Sequence, residues 1–199
     1  MRGWAPPSHT NGVSMGLFNI EAEHFGGEVK VISSQSFEDG RGFFAPSFRD
    51  DEFAKLGLPT KFKQDNHSRS AQGVIRGLHF QNHPPMGKLM RVTRGEAFLV
   101  AVSVNIESPD FGKWVGIYAS EENRLQLWAP ALYARGFCAL DPVTDVQYKC
   151  TEAFNAPNDF AIRWDDPAIG IDWPISNPIL SERDRTAPTL TEFLCGRLL

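Results

Sequence analysis

Residues 76–92, RGLHFQNHPPMGKLMRV, set two histidines, two arginines and a lysine among glycines and apolar residues. Two chemistries fit such a set. A metal site needs convergent ligands, usually two or three histidines and a carboxylate. His79 and His83 are four apart, but the two prolines after His83 put it in a turn. The residue that shares a strand face with His79 two positions on is Gln81, so a strand-borne ligand pair is incomplete. Proton transfer needs something else: a base near neutrality, an acid on the other side, and a cation where negative charge develops. His79 can be the base, Tyr148 the acid, and Lys88 and Arg76 can steady an enolate or a phosphate. Each also has a structural reading. A strand histidine is often only hydrogen-bonded, and a strand lysine or arginine usually faces water.

Strands must position these groups. EVKVISSQ, GVIRGLHFQ, KLMRVTR, EAFLVAVSV, KWVGIYA, RLQLWAP, RGFCAL and DVQYKCT are short and rich in β-branched or aromatic residues. Turn residues such as NHPPMG, NIESPDFG and LDPVT separate them. That pattern predicts a sandwich, jelly roll or barrel. EAFLVAVSV is almost continuously apolar, so both faces of that strand should be covered. DVQYKCT alternates, with Val146, Tyr148 and Cys150 on the face a barrel interior would take. A buried Tyr148 then needs a partner for its hydroxyl. Short helices are expected at DDEFAKLG, as one turn at SEENR, and near LSERDR, with a Pro-interrupted tail after Trp173 wrapping the outside.

The chain has 199 residues, 42% of them hydrophobic and 22% charged, which suits one folded domain. Residues 1–27 are expected as a flexible extension, with Met15 as an alternative start, and residues 28–199 as the domain. The net charge of -4 argues against nucleic acid as the main partner but leaves room for a local basic pocket. Cys138, Cys150 and Cys195 have no zinc or disulfide spacing and read as inert thiols in a reducing compartment. No apolar run is long enough to span a bilayer, and residues 1–16 carry no apolar signal core. Without a secretion signal, the glycosylation match NHS at Asn66 reads as accidental. A cytoplasmic protein with no membrane partner is expected.

Several long segments, in order, resemble the dTDP-4-dehydrorhamnose 3,5-epimerases of deoxysugar biosynthesis. They are FEDGRGFF, QDNHSRSAQGVIRGLHFQ, GKLMRVTRGEAF, SPDFGKWVGI, SEENRLQLWAP, GFCAL, VQYKCT, WDDPAIGIDWP and ILSERD, and they cover roughly residues 28 to 188. The resemblance implies a mainly β fold, a cupin-type jelly-roll barrel with a few short peripheral helices, dimerising partly through strand exchange. It implies no cofactor and no metal. The implied substrate is a dTDP-linked 4-keto-6-deoxy sugar, epimerised at one or both carbons flanking the ketone through an enolate. By position, His79 matches the family's base, Tyr148 its acid, Asp184 the carboxylate paired with the base, and Lys88 the lysine near the ketone oxygen. Arg41, Gln64, Asn66 and Arg76 match residues that hold dTDP, and Phe44 can stack or pack near thymine. Asp184 has a second reading, because SERD is also Ser-x-x-Asp, a helix cap.

Three positions depart from the family pattern. A nucleotide-contacting Glu becomes Pro46, a buried Asp becomes Leu99, and a His becomes Arg135. The family's Asp and His lie close together, so losing both avoids stranding one of them unpaired. The guanidinium of Arg135 can instead recognise a carboxylate, a hydroxyl-rich sugar or a phosphate. The alternatives to an epimerase are a non-catalytic or altered-specificity homologue that binds nucleotide sugars, and a metal-dependent cupin enzyme.

Overall fold

The computed structural model describes residues 16–196. In chain order the strands are β1 (Phe18–His24), β2 (Val29–Ser34), β3 (Phe37–Asp39), β4 (Gly42–Phe44), β5 (Gln64–Ser70), β6 (Ile75–Gln81), β7 (Lys88–Arg94), β8 (Glu96–Ser103), β9 (Trp114–Ser120), β10 (Gln126–Ala129), β11 (Tyr133–Ala139), β12 (Thr144–Cys150) and β13 (Asp159–Ala161). Three short helices join them, α1 (Asp50–Lys55), α2 (Glu182–Arg185) and α3 (Leu190–Cys195). A six-stranded sheet in the order β1-β2-β10-β7-β12-β5 faces a five-stranded sheet in the order β13-β6-β11-β8-β9. The pairs within both sheets are antiparallel. The β3–β4 hairpin pairs only with itself.

Sequence alternation explains the layers. Along β8, Ala97, Leu99 and Ala101 join the core between the sheets, with Val92, Ile117, Leu127, Phe137 and Val146. Phe98, Val100 and Val102 point the other way, into a second core with Ile75, Leu78, Phe80 and Ile162. The near-continuous apolar run of β8 therefore reflects two covered faces, as the sequence predicts. A third cluster, Phe18, Ile32, Phe53, Leu58, Leu89 and Trp128, packs α1 on the outer face of the six-stranded sheet.

The C-terminal tail covers the outer face of the five-stranded sheet, where Trp164, Ile169, Trp173 and Leu190 close the second core. Buried Asp166 ties the tail to itself, accepting from the backbone N–H of Ala168 and of Leu190. Ile179 exchanges backbone hydrogen bonds with Gly73 and Ile75 at the entry to β6, at 2.8 and 3.1 Å. That clamp holds α2 beside β6.

The structure alters three expectations. Residues 18–24, expected within a flexible extension over residues 1–27, instead form β1, which pairs with β2 and buries Phe18; residues 1–15, including Met15, lie outside the described residues. The SEENR turn forms no helix: the Asn123 side chain accepts from Ser120 N–H and donates to the Tyr118 carbonyl, closing a turn after β9. The tail also carries an unforeseen helix, α3, with a Thr189–Glu192 capping box. Among the described residues no helix is long and apolar enough to cross a membrane.

Candidate active site

The candidate site begins with a local backbone requirement. Gly77, just before Leu78 and His79, has φ +135°, which side-chain-bearing residues rarely adopt. A Cβ there would lie 2.5 Å from the Cα of Gly136 on β11. The two glycines bring the backbones of β6 and β11 together where the ladder is irregular, with Arg135 opposite His79 and Phe137 opposite Arg76. Arg76 and His79 consequently reach the same side of the sheet although they are three apart.

His79 Nε2–H donates to Oδ1 of Asp184, 2.5 Å away. Asp184 is the third residue of the short α2, and its backbone N–H donates to the Ser181 hydroxyl, which caps the helix. Both readings of SERD are thus satisfied at once: the backbone of Asp184 is capped while its carboxylate holds the histidine. Burial pushes the Asp184 carboxyl up, but the hydrogen bond and charge of His79, with help from Ser181 and Gly77, outweigh it and hold the group below its usual range. An ionised carboxylate can only accept, which fixes the neutral imidazole with its proton on Nε2 and its lone pair on Nδ1.

A cavity of about 640 Å³ opens beside this pair. His79, Asp184, Tyr148, Lys88, Arg76 and Arg135 all line it. Tyr148 comes from β12 and Lys88 from the neighbouring β7, with the Lys88 ammonium 5.4 Å from the centre of the Tyr148 ring. Burial pushes the Tyr148 hydroxyl up from its ordinary pKa. Burial first, and the Arg135 charge second, push Lys88 down to about 8. Arg76 is set at the rim by its own bonds to the Ser70 hydroxyl and the Arg69 carbonyl. Arg135 is 3% exposed and donates to the carbonyls of Tyr133 and Met86, while its Nε has no hydrogen-bond partner among the described residues.

The other sequence-predicted residues are distributed differently. Asn66 sits directly across from Tyr148 on β5, donating to Cys150 Sγ and accepting from the Gln64 amide. Gln64 and Asn66 share a face with Ser68, which lines the cavity, so β5 extends its polar wall. Arg41 and Phe44 do not line the cavity. They stand on the exposed β3–β4 hairpin, where Arg41 is paired with Asp39 and Phe44 is 68% exposed. Pro46 borders a separate hollow of about 250 Å³ with Phe43 and Arg124, while Leu99 is fully buried between the sheets. Sequence reasoning missed Ser68 and Arg183, both cavity-lining. The signals were present: Ser68 is two residues beyond Asn66, and Arg183 precedes Asp184.

Gln81 is fully buried and committed to structure. Its amide donates to the carbonyls of Pro84 and Ala153, and its oxygen accepts from Asn155 N–H. Among the described residues no three His, Cys, Asp or Glu side chains converge in a way that could hold a metal ion.

Two facing antiparallel sheets of cupin type enclose a cavity lined with a carboxylate–histidine pair, a tyrosine and a lysine. The family model described as dTDP-4-dehydrorhamnose 3,5-epimerase matches residues 27–192, and the chain belongs to that family. A relative of that name from Sinorhizobium fredii is 48% identical over 168 residues, 83% of this chain and 86% of that one. One from Neisseria gonorrhoeae is 47% identical over 163 residues, 81% of this chain; the chain spans about half, 50%, of that relative's length. The crystal structure of dTDP-6-deoxy-D-glucose-3,5-epimerase from Legionella pneumophila, in complex with dTDP-4-keto-L-rhamnose, superposes with a TM-score of 0.84 at 41% identity, covering 87% of this chain and 93% of that one.

Proposed function

We propose that this protein epimerises one or both carbons flanking the ketone of a dTDP-linked 4-keto-6-deoxy sugar. The observation that carries the reading is the His79–Asp184 pair, which shares one cavity with Tyr148 and Lys88. The ketone acidifies the neighbouring C–H bonds. His79, oriented by Asp184, takes the proton at Nδ1. The electron pair moves toward the ketone oxygen, where Lys88 meets the developing charge. Tyr148 returns a proton to the carbon from the opposite face, which inverts it. No cofactor takes part.

Arg76 at the rim suits the diphosphate, because a guanidinium fork engages two phosphate oxygens. Gln64 and Asn66 extend the polar wall toward the nucleoside. Arg41 and Phe44 are assigned to the nucleotide of a neighbouring copy's site, in a homodimer. In support, the β3–β4 hairpin leaves Phe37, Phe43 and Phe44 exposed together in the single chain. The net charge of -4 favours neither nucleic acid nor an anionic membrane surface, and the cytoplasm is the compartment assigned.

The test is proton NMR in deuterated buffer with dTDP-4-keto-6-deoxyglucose, reading C3 and C5 separately. Deuterium uptake with inversion at one or both carbons is expected. Tight binding of the nucleotide sugar without uptake at either carbon would leave only the non-catalytic homologue.

A further inference from the structure

The cavity contains more positive charge than its acidic side chains neutralise. Lys88 and Arg135 both line it, and among the described residues neither has a carboxylate partner. The groups that face Lys88 are few. Its ladder partner Cys150 and the neighbouring Tyr148 come from β12. His79 belongs to β6, Arg135 to β11, Asp159 to β13 and Arg183 to α2. The carboxylates among the surrounding groups are already used: Asp184 holds His79 at 2.5 Å, and Asp159 holds Arg183 at 2.7 Å. The β10 residue opposite Lys88 is Ala129, and β5 contributes the neutral Gln64 and Asn66. Arg135 is fixed in place by two backbone carbonyls, which satisfy hydrogen bonds but supply no full negative charge.

We propose that Arg135 is a positioning residue that acts through Lys88: a buried, uncompensated guanidinium that makes Lys88 a proton donor to the ketone oxygen rather than a fixed cation. The inference rests on the epimerase reading above and assigns a role to Arg135, which lines the same cavity. Arginine keeps its own proton, so it can act on Lys88 only through its charge. As His79 removes the C–H proton, the Lys88 ammonium passes one proton to the ketone oxygen. The products of that step are a neutral enol and a neutral amine. When Tyr148 protonates the carbon, the enol electron pair forms the new C–H bond, the O–H bond breaks, and its proton returns to Lys88. His79 ends protonated and Tyr148 ends as phenolate, and water resets both between turnovers. Two adjacent buried cations disfavour each other, and the first transfer relieves that repulsion. The depressed pKa of Lys88, about 8, accords with the arrangement.

The experiment is the pH profile of kcat for epimerisation by the wild type, by Arg135→Gln and by Leu99→Asp. The wild type is expected to lose activity above about pH 8, where Lys88 deprotonates. Arg135→Gln removes the like charge and should move that basic limb up by about one pH unit. Leu99→Asp keeps the arginine and supplies a counter-ion. Leu99 lies two residues along β8 from Ala101, the cross-strand partner of Arg135, on the same face. It should move the limb in the same direction. A purely structural Arg135 would lower the rate at every pH and leave the limb in place. That result, in folded variants that bind dTDP, overturns the inference and leaves the epimerase reading standing. A wild-type basic limb above about pH 10, near the ordinary lysine pKa, overturns it without any variant. A wild type that exchanges neither carbon removes both readings together.

Discussion

Replacing Asp184 with Asn keeps the shape of the side chain and removes its charge. In the structure the carboxylate is almost wholly buried, with 4% side-chain exposure, while the His79 ring retains 26%. Taking the charge centres as roughly 4 Å apart at an effective dielectric constant near 20, the carboxylate stabilises the positive charge that develops on the ring in the transition state by up to about 4 kcal/mol. Solvent reaching the ring through the cavity reduces this to about 2–4 kcal/mol, which corresponds to roughly a thirtyfold to thousandfold loss of rate. The amide also loses its hold on the tautomer, because it can donate as well as accept. The assay is deuterium uptake at C3 and C5 of dTDP-4-keto-6-deoxyglucose, with dTDP affinity measured separately. The variant should bind dTDP within a fewfold of the wild type and exchange slowly at whichever carbons the wild type exchanges. A folded Asp184→Asn enzyme that exchanges within threefold of the wild type would refute the argument and return Asp184 to a capping role alone.

Three further outcomes follow from the same geometry. Tyr148→Phe should keep measurable deuterium uptake on the His79 side while inversion falls by roughly a hundredfold or more, seen by comparing exchanged substrate with inverted product; equal losses of both would contradict separate acid and base faces. Gly77→Ala should cost about 3 kcal/mol or more in urea unfolding, because the new Cβ meets Gly136 at 2.5 Å and φ is +135°. Asp145, held at about 2 chiefly by its hydrogen bonds from Arg69, contributes stability above the unfolded carboxyl pKa and loses it as pH falls toward 2. Because Arg69 is 63% exposed, Asp145→Asn should cost under about 1 kcal/mol at neutral pH, and the difference in urea midpoint should close in acid.

Strands that bury apolar side chains were legible in the sequence, and β5, which turns polar side chains to the cavity, was the hardest to see. KLMRVTR is β7 to the residue, and EAFLVAVSV differs from β8 only at its end. By contrast, β5 reads QDNHSRS, with no apolar alternation, because its inner face presents Gln64, Asn66 and Ser68 to the polar wall. The β3–β4 hairpin was visible only as a family motif, since its phenylalanines are exposed and give no burial pattern. His79 and Lys88 stood out within one short stretch, and Tyr148 was placed inward by strand alternation alone. Asp184, 105 residues from His79, had no local signal beyond its capping motif, and the resemblance supplied its pairing. The charge relation of Lys88 to Arg135 depends on β7 and β11 reaching one cavity from different sheets. Spacing along the chain carries no trace of that.

The central claim is that His79 is the base. Its most direct test is solvent-deuterium exchange by His79→Asn with dTDP-4-keto-6-deoxyglucose, alongside dTDP affinity. The account predicts that exchange falls by about a hundredfold to ten thousandfold or more at whichever flanking carbons the wild type exchanges, with dTDP binding retained through Arg76, Gln64 and Asn66. Near-normal exchange by the folded, dTDP-binding variant would contradict it.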